Sequence, residues 1–256
     1  MKDPEMAEVM AVARLAAERG GQAALSFFQG RFQVEQKADG SPVTEADQAA
    51  DKAILKVLQD AFPEHAYFTE ESGSLGRPGP WRWIVDPLDG TYPFTRGEDC
   101  WGPLVALQGP EGIVAGAFAL PARRRLYWGA KGQGAWSDQG ALQVSSVDKL
   151  SEATLSAGNF EALLREIPGF ASCLQRAKRV RSHGDVAGFS QYLDGTADIW
   201  IEYGVELWDL APFPILVQEA GGGYDDWQGG CNPATGKALV AHSKLLASMM
   251  AELKSN

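Results

Sequence analysis

The segment Trp83-Ile84-Val85-Asp86-Pro87-Leu88-Asp89-Gly90-Thr91 restricts the possible folds more than any other part of this chain. Its apolar run reads as a buried strand that ends in two aspartates three residues apart, followed by a tight turn. In α/β proteins, strand ends are where ligands bind. Hard cations such as Mg²⁺ take oxygen ligands, and paired carboxylates supply them. Gly90 lets the backbone approach a ligand closely, and the amides after it can face an anion. The segment therefore points to a metal-held phosphate site. Asp, Pro and Gly are also ordinary turn formers, so the segment alone fits a plain turn equally well.

Composition narrows the field. The 256 residues, 45% of them hydrophobic, are enough for a large core in one domain or two packed halves. A net charge of −10 disfavours nonspecific binding to nucleic acid or anionic membrane and favours binding of cations. The three cysteines, Cys100, Cys173 and Cys231, are widely spaced and suggest neither a disulfide framework nor a zinc site, so a cytoplasmic home is expected. No apolar run of about 18 residues suggests a membrane span, and Met1–Glu5 lacks the layout of a signal peptide.

Periodicity predicts helices over residues 5–28 and from Thr44 to Phe62, the second with Thr44 as N-cap and Asp47 closing a capping box. Lys37–Pro42 reads as a polar loop and 72–80 as a Gly/Pro-rich one. Tyr67–Thr69 forms a short strand leading into Glu70-Glu71. Apolar runs at 104–107, 113–120, 125–129 and 134–136 read as antiparallel strands. From Ser151 onward, strands near 154–157, 179–181, 197–202 and 238–241 are interspersed with helices. One of these helices starts at Pro212 and leaves Asp209 just outside it. The expected fold is α+β or α/β, with helix and sheet layers stacked. An N-terminal half (1–150) carries the antiparallel sheet, and a C-terminal α/β half (151–256) packs tightly against it as one catalytic unit.

Asp86-Pro-Leu-Asp-Gly-Thr91 resembles the first signature of the inositol monophosphatase family. Trp208-Asp209-Leu-Ala, followed by Glu219-Ala-Gly-Gly222, resembles its second. Val43-Thr-Glu-Ala-Asp47 and Glu70-Glu71-Ser72 are similar to two further family segments, and the order and spacing agree over nearly the whole chain. The resemblance implies a layered α-β-α-β-α sandwich of the sugar-phosphatase superfamily type, acting as a homodimer. It implies Mg²⁺-dependent hydrolysis of a small phosphorylated metabolite, with two to three ions per subunit and Mn²⁺ as a possible substitute.

By the same resemblance, Glu70, Asp86 and the carbonyl of Leu88 hold one ion, and Asp86, Asp89 and Asp209 a second. Gly90 and Thr91 amides cradle the phosphate. Thr91 and Asp47, with Glu70 through a further ion, position and deprotonate the attacking water. Asp89, Asp185 and Glu202 reach the rest of the substrate, Glu202 by bonding its hydroxyls. A phosphate monoester is doubly anionic near neutral pH, so cations are needed to admit a water-derived nucleophile. Ser182-His183-Gly184-Asp185 is similar to the histidinol-phosphate phosphatase branch. There Asp185 would pair with a substrate ammonium, or else simply cap the helix starting near Val186. Fructose 1,6-bisphosphate and 3′-phosphoadenosine 5′-phosphate are further candidate substrates. A non-catalytic regulatory binding protein with this fold would have lost a metal ligand or the Asp47/Thr91 pair, and the chain retains them all.

Overall fold

Small residues bring two long helices close together over one face of a large sheet. The computed structural model of the protein describes residues 3–30, 34–36 and 42–254. Helix α1 (Met6–Leu25) buries Val9, Ala13, Ala16, Ala17 and Ala24. A short antiparallel pair, β1 (Val34–Gln36) and β2 (Pro42–Thr44), leads into α2 (Glu45–Ala61). Gly20 marks the crossing of the two helices, since a Cβ there would lie 2.6 Å from Ile54 Cδ1. The polar loop expected at Lys37–Pro42 falls, apart from Pro42, outside the described residues.

The first sheet uses β3 (Ala66–Thr69), β4 (Gly73–Leu75) and β5 (Arg82–Asp89), then, beyond the short helix α3 (Thr91–Arg96), β6 (Gly102–Gly109), β7 (Gly112–Leu120), β8 (Arg125–Ala130), β9 (Gly134–Ser137) and β10 (Gly140–Ala141). Its eight strands run β10-β9-β8-β7-β6-β5-β3-β4. Only the β3–β5 pair is parallel. Strand β4 lies within the stretch read from sequence as pure loop. Helix α3 was likewise not foreseen, because Thr-Tyr-Pro-Phe-Thr-Arg has neither helical periodicity nor helix-forming composition.

The second sheet draws on β11 (Thr154–Ala157), β12 (Arg179–Arg181), β13 (Ile199–Tyr203), β14 (Gly223–Asp225) and β15 (Lys237–Ala241), in the order β12-β11-β13-β15-β14. Between and after them come α4 (Phe160–Glu166), α5 (Phe170–Arg176), α6 (Asp185–Leu193), α7 (Leu207–Leu210), α8 (Phe213–Glu219) and α9 (Ser243–Leu253). Gly221, at φ 82°, ends α8 in the left-handed conformation that favours glycine.

Strand alternation sorts the core into layers. Trp83, Val85, Val105 and Leu107 face α1 and α2. Their neighbours Leu104 and Phe118 face the other way, where Phe118 meets Phe189 of α6 and Phe213 of α8. Phe189 and Phe213 stack with centroids 3.7 Å apart and both touch Trp200 of β13, so these helices lie between the two sheets. On the far side Leu163, Phe170, Leu245 and Met249 pack on Leu155, Ile199, Ile201 and Leu239. The result is five layers: helix, sheet, helix, sheet, helix. Among the described residues no helix is long and apolar enough to cross a membrane.

Candidate active site

The site begins with an irregularity in β5. In a regular strand, residues three apart point to opposite faces. Between the pairs Asp86↔Leu104 and Asp89↔Gly102 the register shifts, two residues of β5 opposing one of β6. Pro87 has no N–H to give to the ladder, which makes this a natural place for a bulge. The extra residue turns Asp89 onto the same face as Asp86, toward α6 and α7. Gly102 allows the close approach needed here, since a Cβ on it would stand 1.8 Å from the Ala119 carbonyl oxygen.

Three acidic residues converge on that face. One carboxylate oxygen each from Asp86, Asp89 and Asp209 lie within 4.8 Å of one another. Two oxygens bound to one Mg²⁺ at ~2.1 Å stand roughly 3–4.2 Å apart, so slight contraction would close the set around a cation. Asp86 accepts from the Leu88 N–H at 2.9 Å, and Asp89 from the Val186 N–H at 2.6 Å. Asp209 departs from the sequence expectation. It does not lie outside a helix but is the third residue of the one-turn α7, where it accepts from the Glu206 N–H at 2.8 Å in a capping box. Four residues with a proline soon after are too few for periodicity to reveal such a turn.

Glu70 follows β3 directly, its N–H donating to the Val85 carbonyl at 3.0 Å, so the parallel β3–β5 pair sets it beside Asp86. Burial pushes the Asp86 carboxyl well above the usual carboxylate range, and the charges of Glu70, Asp89 and Asp209 add to this. Burial likewise raises Asp89, reinforced by Asp185 and Asp209. Asp209 is pushed up to about 7 by burial, with Glu70 and Asp185 contributing. The charges acting on these groups are carboxylates. Such a set binds protons or a cation, and hard oxygen donors suit Mg²⁺.

A carboxylate–hydroxyl pair, Asp47 and Thr91, is assembled from α2 and α3. Asp47 is 1% exposed. Its Oδ2 accepts from the Thr44 N–H at 2.8 Å and the Thr44 hydroxyl at 2.6 Å. Its Oδ1 lies 3.2 Å from the Thr91 hydroxyl, which also reaches the Leu88 carbonyl at 3.1 Å. Burial raises the Asp47 carboxyl, against the opposing bonds from Thr44. Gly90, at φ 79°, caps α3 in the left-handed conformation; a Cβ there would also press the Cys100 carbonyl at 2.8 Å. The first turn of α3 leaves N–H groups without intrahelical partners, beside the carboxylate cluster.

Glu202 and Asp185 meet at the start of α6. Glu202 is 2% exposed, and burial, with the Asp185 charge, raises it to about 8. Its Oε2 accepts from the Asp185 N–H at 3.1 Å. Asp89 and Glu202 thus hold the first two amides of α6 between them. The other oxygen of Glu202, Oε1, accepts from the Tyr203 N–H at 3.3 Å, so Glu202 is engaged with backbone through both oxygens. Asp185 begins the helix with φ 52° and makes no side-chain cap, so the capping alternative does not describe it. Its side chain is exposed, though partial desolvation still raises the carboxyl.

Glycine supplies the space for Glu202, since a Cβ on Gly158 would fall 2.2 Å from Oε2. Gly158→Ala is expected to destabilise the protein by about 2 kcal/mol through overpacking, read as a lower melting temperature. An unchanged melt would show that the carboxylate has room to move.

Sequence reasoning did not anticipate the Thr44 hydroxyl on Asp47. It also missed Glu219, which accepts from the Gly132 and Gly134 N–H groups, both at 2.8 Å, and so ties the end of α8 to the β8–β9 turn. The latter partners are more than 80 residues away in sequence.

The family model for the inositol monophosphatase family matches residues 5–256. The chain belongs to the inositol monophosphatase family. A Streptomyces griseus protein named glucose-1-phosphate thymidylyltransferase is 38% identical over 224 residues, 86% of each chain. A histidinol-phosphatase of Streptomyces coelicolor is 31% identical, covering 94% of this chain and 95% of its own. Among solved structures, the extragenic suppressor protein suhB of Bartonella henselae superposes with a TM-score of 0.89 at 26% identity, over 97% of this chain and 99% of that one. As a member of the inositol monophosphatase family, the chain is a phosphoric monoester hydrolase of a metal-dependent kind.

Proposed function

We propose that the protein hydrolyses a small phosphate monoester with two to three Mg²⁺ ions held by Asp86, Asp89, Asp209, Glu70 and the Leu88 carbonyl. The convergence of Asp86, Asp89 and Asp209 within 4.8 Å is the observation that carries this reading. Bound Mg²⁺, or Mn²⁺ in its place, supplies charge neutralisation, acidified water and stabilisation of the leaving oxygen. The protein's own residues do the positioning. Gly90 and Thr91 N–H groups receive the phosphate oxygens. Thr91 offers its hydroxyl to a water, and Asp47 Oδ1 beside it takes the water's proton. Glu202 fixes the α6 terminus and, through it, the rim of the leaving-group pocket. The enzyme acts in a reducing compartment, a reading supported by three unpaired cysteines, and as a homodimer, for which the family resemblance is the ground.

A second reading concerns the leaving group. The exposed Asp185 carboxylate, uncapped and beside Asp89, favours an ester that carries an ammonium, of which histidinol phosphate is one. Such a charge-assisted pair is worth roughly 1.5–3 kcal/mol, or about tenfold to a hundredfold in kcat/KM. Phosphate release is therefore measured for histidinol phosphate, inositol 1-phosphate, fructose 1,6-bisphosphate and 3′-phosphoadenosine 5′-phosphate. Asp185→Asn should erase the preference for the cationic ester and spare hydrolysis of a neutral one. Wild-type preference for inositol phosphate would refute the cationic reading. Pyrophosphate release from dTTP and glucose 1-phosphate, with no phosphate release from any ester, would refute hydrolysis itself.

A further inference from the structure

Helix α2 carries two aspartates on one face, and the reaction uses only one. Asp47 and Asp51 are four residues apart, hence stacked one turn above the other, and are 1% and 2% exposed. Asp47 serves Thr44 and Thr91. Asp51 Oδ2 accepts the hydroxyl of Ser72 in a short bond, while Oδ1 is buried with no partner. Ser72 is thus what orients this carboxylate, and the bond joins α2 to the turn that carries Glu70.

That turn is fastened at both ends. Thr69 lies in register with Val85 of β5, and the Glu70 N–H donates to the Val85 carbonyl at 3.0 Å. Three residues after Thr69, the Ser72 N–H donates to the Thr69 hydroxyl at 2.8 Å, closing the turn on itself. The Ser72 side chain then reaches Asp51. The Thr69 hydroxyl thereby holds the Ser72 amide so that the Ser72 side chain points at α2. The turn joins β3 to β4, whose ladder pairs Thr69 with Gly73, and the Asp51 link adds a tie from it to α2. The same helix α2 holds Asp47, so the link also sets Glu70 relative to the water-activating pair.

We propose that Asp51 is a positioning residue: through Ser72 it holds Glu70 at the place where it binds the cation. This rests on the reading of the acidic cluster as a cation site. Partners that orient a ligand typically change metal affinity about tenfold to a hundredfold when removed. Calorimetric titration of the purified full chain with Mg²⁺, well below the melting temperature, reads the effect directly. Asp51→Ala and Ser72→Ala should each weaken the dissociation constant by about tenfold or more. Both should raise the Mg²⁺ concentration for half-maximal phosphate release more than they lower kcat at saturating Mg²⁺. Asp51→Asn, which still accepts the serine hydroxyl, should restore most of the affinity. A purely structural role would lower the melting temperature of Asp51→Ala and leave the Mg²⁺ affinity of the folded protein at the wild-type value, and that result overturns the proposal. So does an Asp51→Asn variant as weak as Asp51→Ala. Absence of Mg²⁺ binding by the wild type would instead refute the cation site itself.

Discussion

Asp89→Asn is expected to lower turnover with Mg²⁺ by about a thousandfold, ~4 kcal/mol of barrier, and at the same time to make the cation-free protein melt higher. The two effects have one origin. Asp89 is buried among the charges of Asp185, Asp209 and Glu202, which repel it in the absence of a cation. An amide in its place keeps an oxygen for the Val186 N–H and removes a charge from a crowded set. The melting temperature should rise by roughly 2–4 °C for each kcal/mol of repulsion relieved. Added Mg²⁺ should then stabilise the variant far less than the wild type. Thermal melts in chelator and in Mg²⁺, beside steady-state kinetics, check both halves. Activity near that of wild type would remove Asp89 from the cation site, and a lower cation-free melt would refute the repulsion account.

The wild-type protein without cation should lose stability as pH rises from about 5 to 8. Asp209 goes from 3.8 to about 7 and Glu202 from 4.5 to about 8 on folding. A carboxyl that is raised in the fold binds its proton more tightly there than in the unfolded chain. Its contribution is complete below the unfolded value and is lost as pH climbs through the folded one. At about 1.4 kcal/mol per pKa unit, each group accounts for at most ~4–5 kcal/mol, less for Asp209, which is only half-buried. A divalent cation reverses the trend by replacing the protons. The Mg²⁺-induced rise in melting temperature should therefore be larger at pH 8 than at pH 5.5, with protons released on binding. Melts in chelator across this range, and calorimetry in buffers of different ionisation enthalpy, test it. A flat cation-free profile would show that the cluster is solvated.

How far the sequence could be read depended on the range of each interaction. Asp86, Asp89 and Gly90 lie in one local pattern, and their place at a strand end follows from it. The long helices α1 and α2 were clear because their small apolar residues repeat at helical spacing, and the Thr44/Asp47 capping box lies within four residues. Asp209 could be joined to Asp86 only through the family resemblance, since nothing local to Trp208-Asp209 names a partner over a hundred residues away. The engagement of Glu202 by Asp185, of Ser72 by Asp51 and of Glu219 by two distant glycines left no sequence signal. Each is a single polar contact between elements that the fold alone brings together. The short elements α3, α7, β4 and β14 carry neither an apolar run nor a helical repeat in their few residues, so nothing local marks them.

The bulge in β5 makes parity the property that matters in the segment between the two aspartates. Pro87 and Leu88 could be exchanged for other residues able to sit there, and the carboxylates would still share a side. Removing the bulge by giving β6 one more residue opposite Pro87 and Leu88 would restore a regular ladder, but it would also invert Asp89 through the sheet toward α1 and α2. Every side chain of the signature would then be present, and no pair of them could grip one ion. Length, more than identity, is what a transplant of this loop into another sheet would have to preserve.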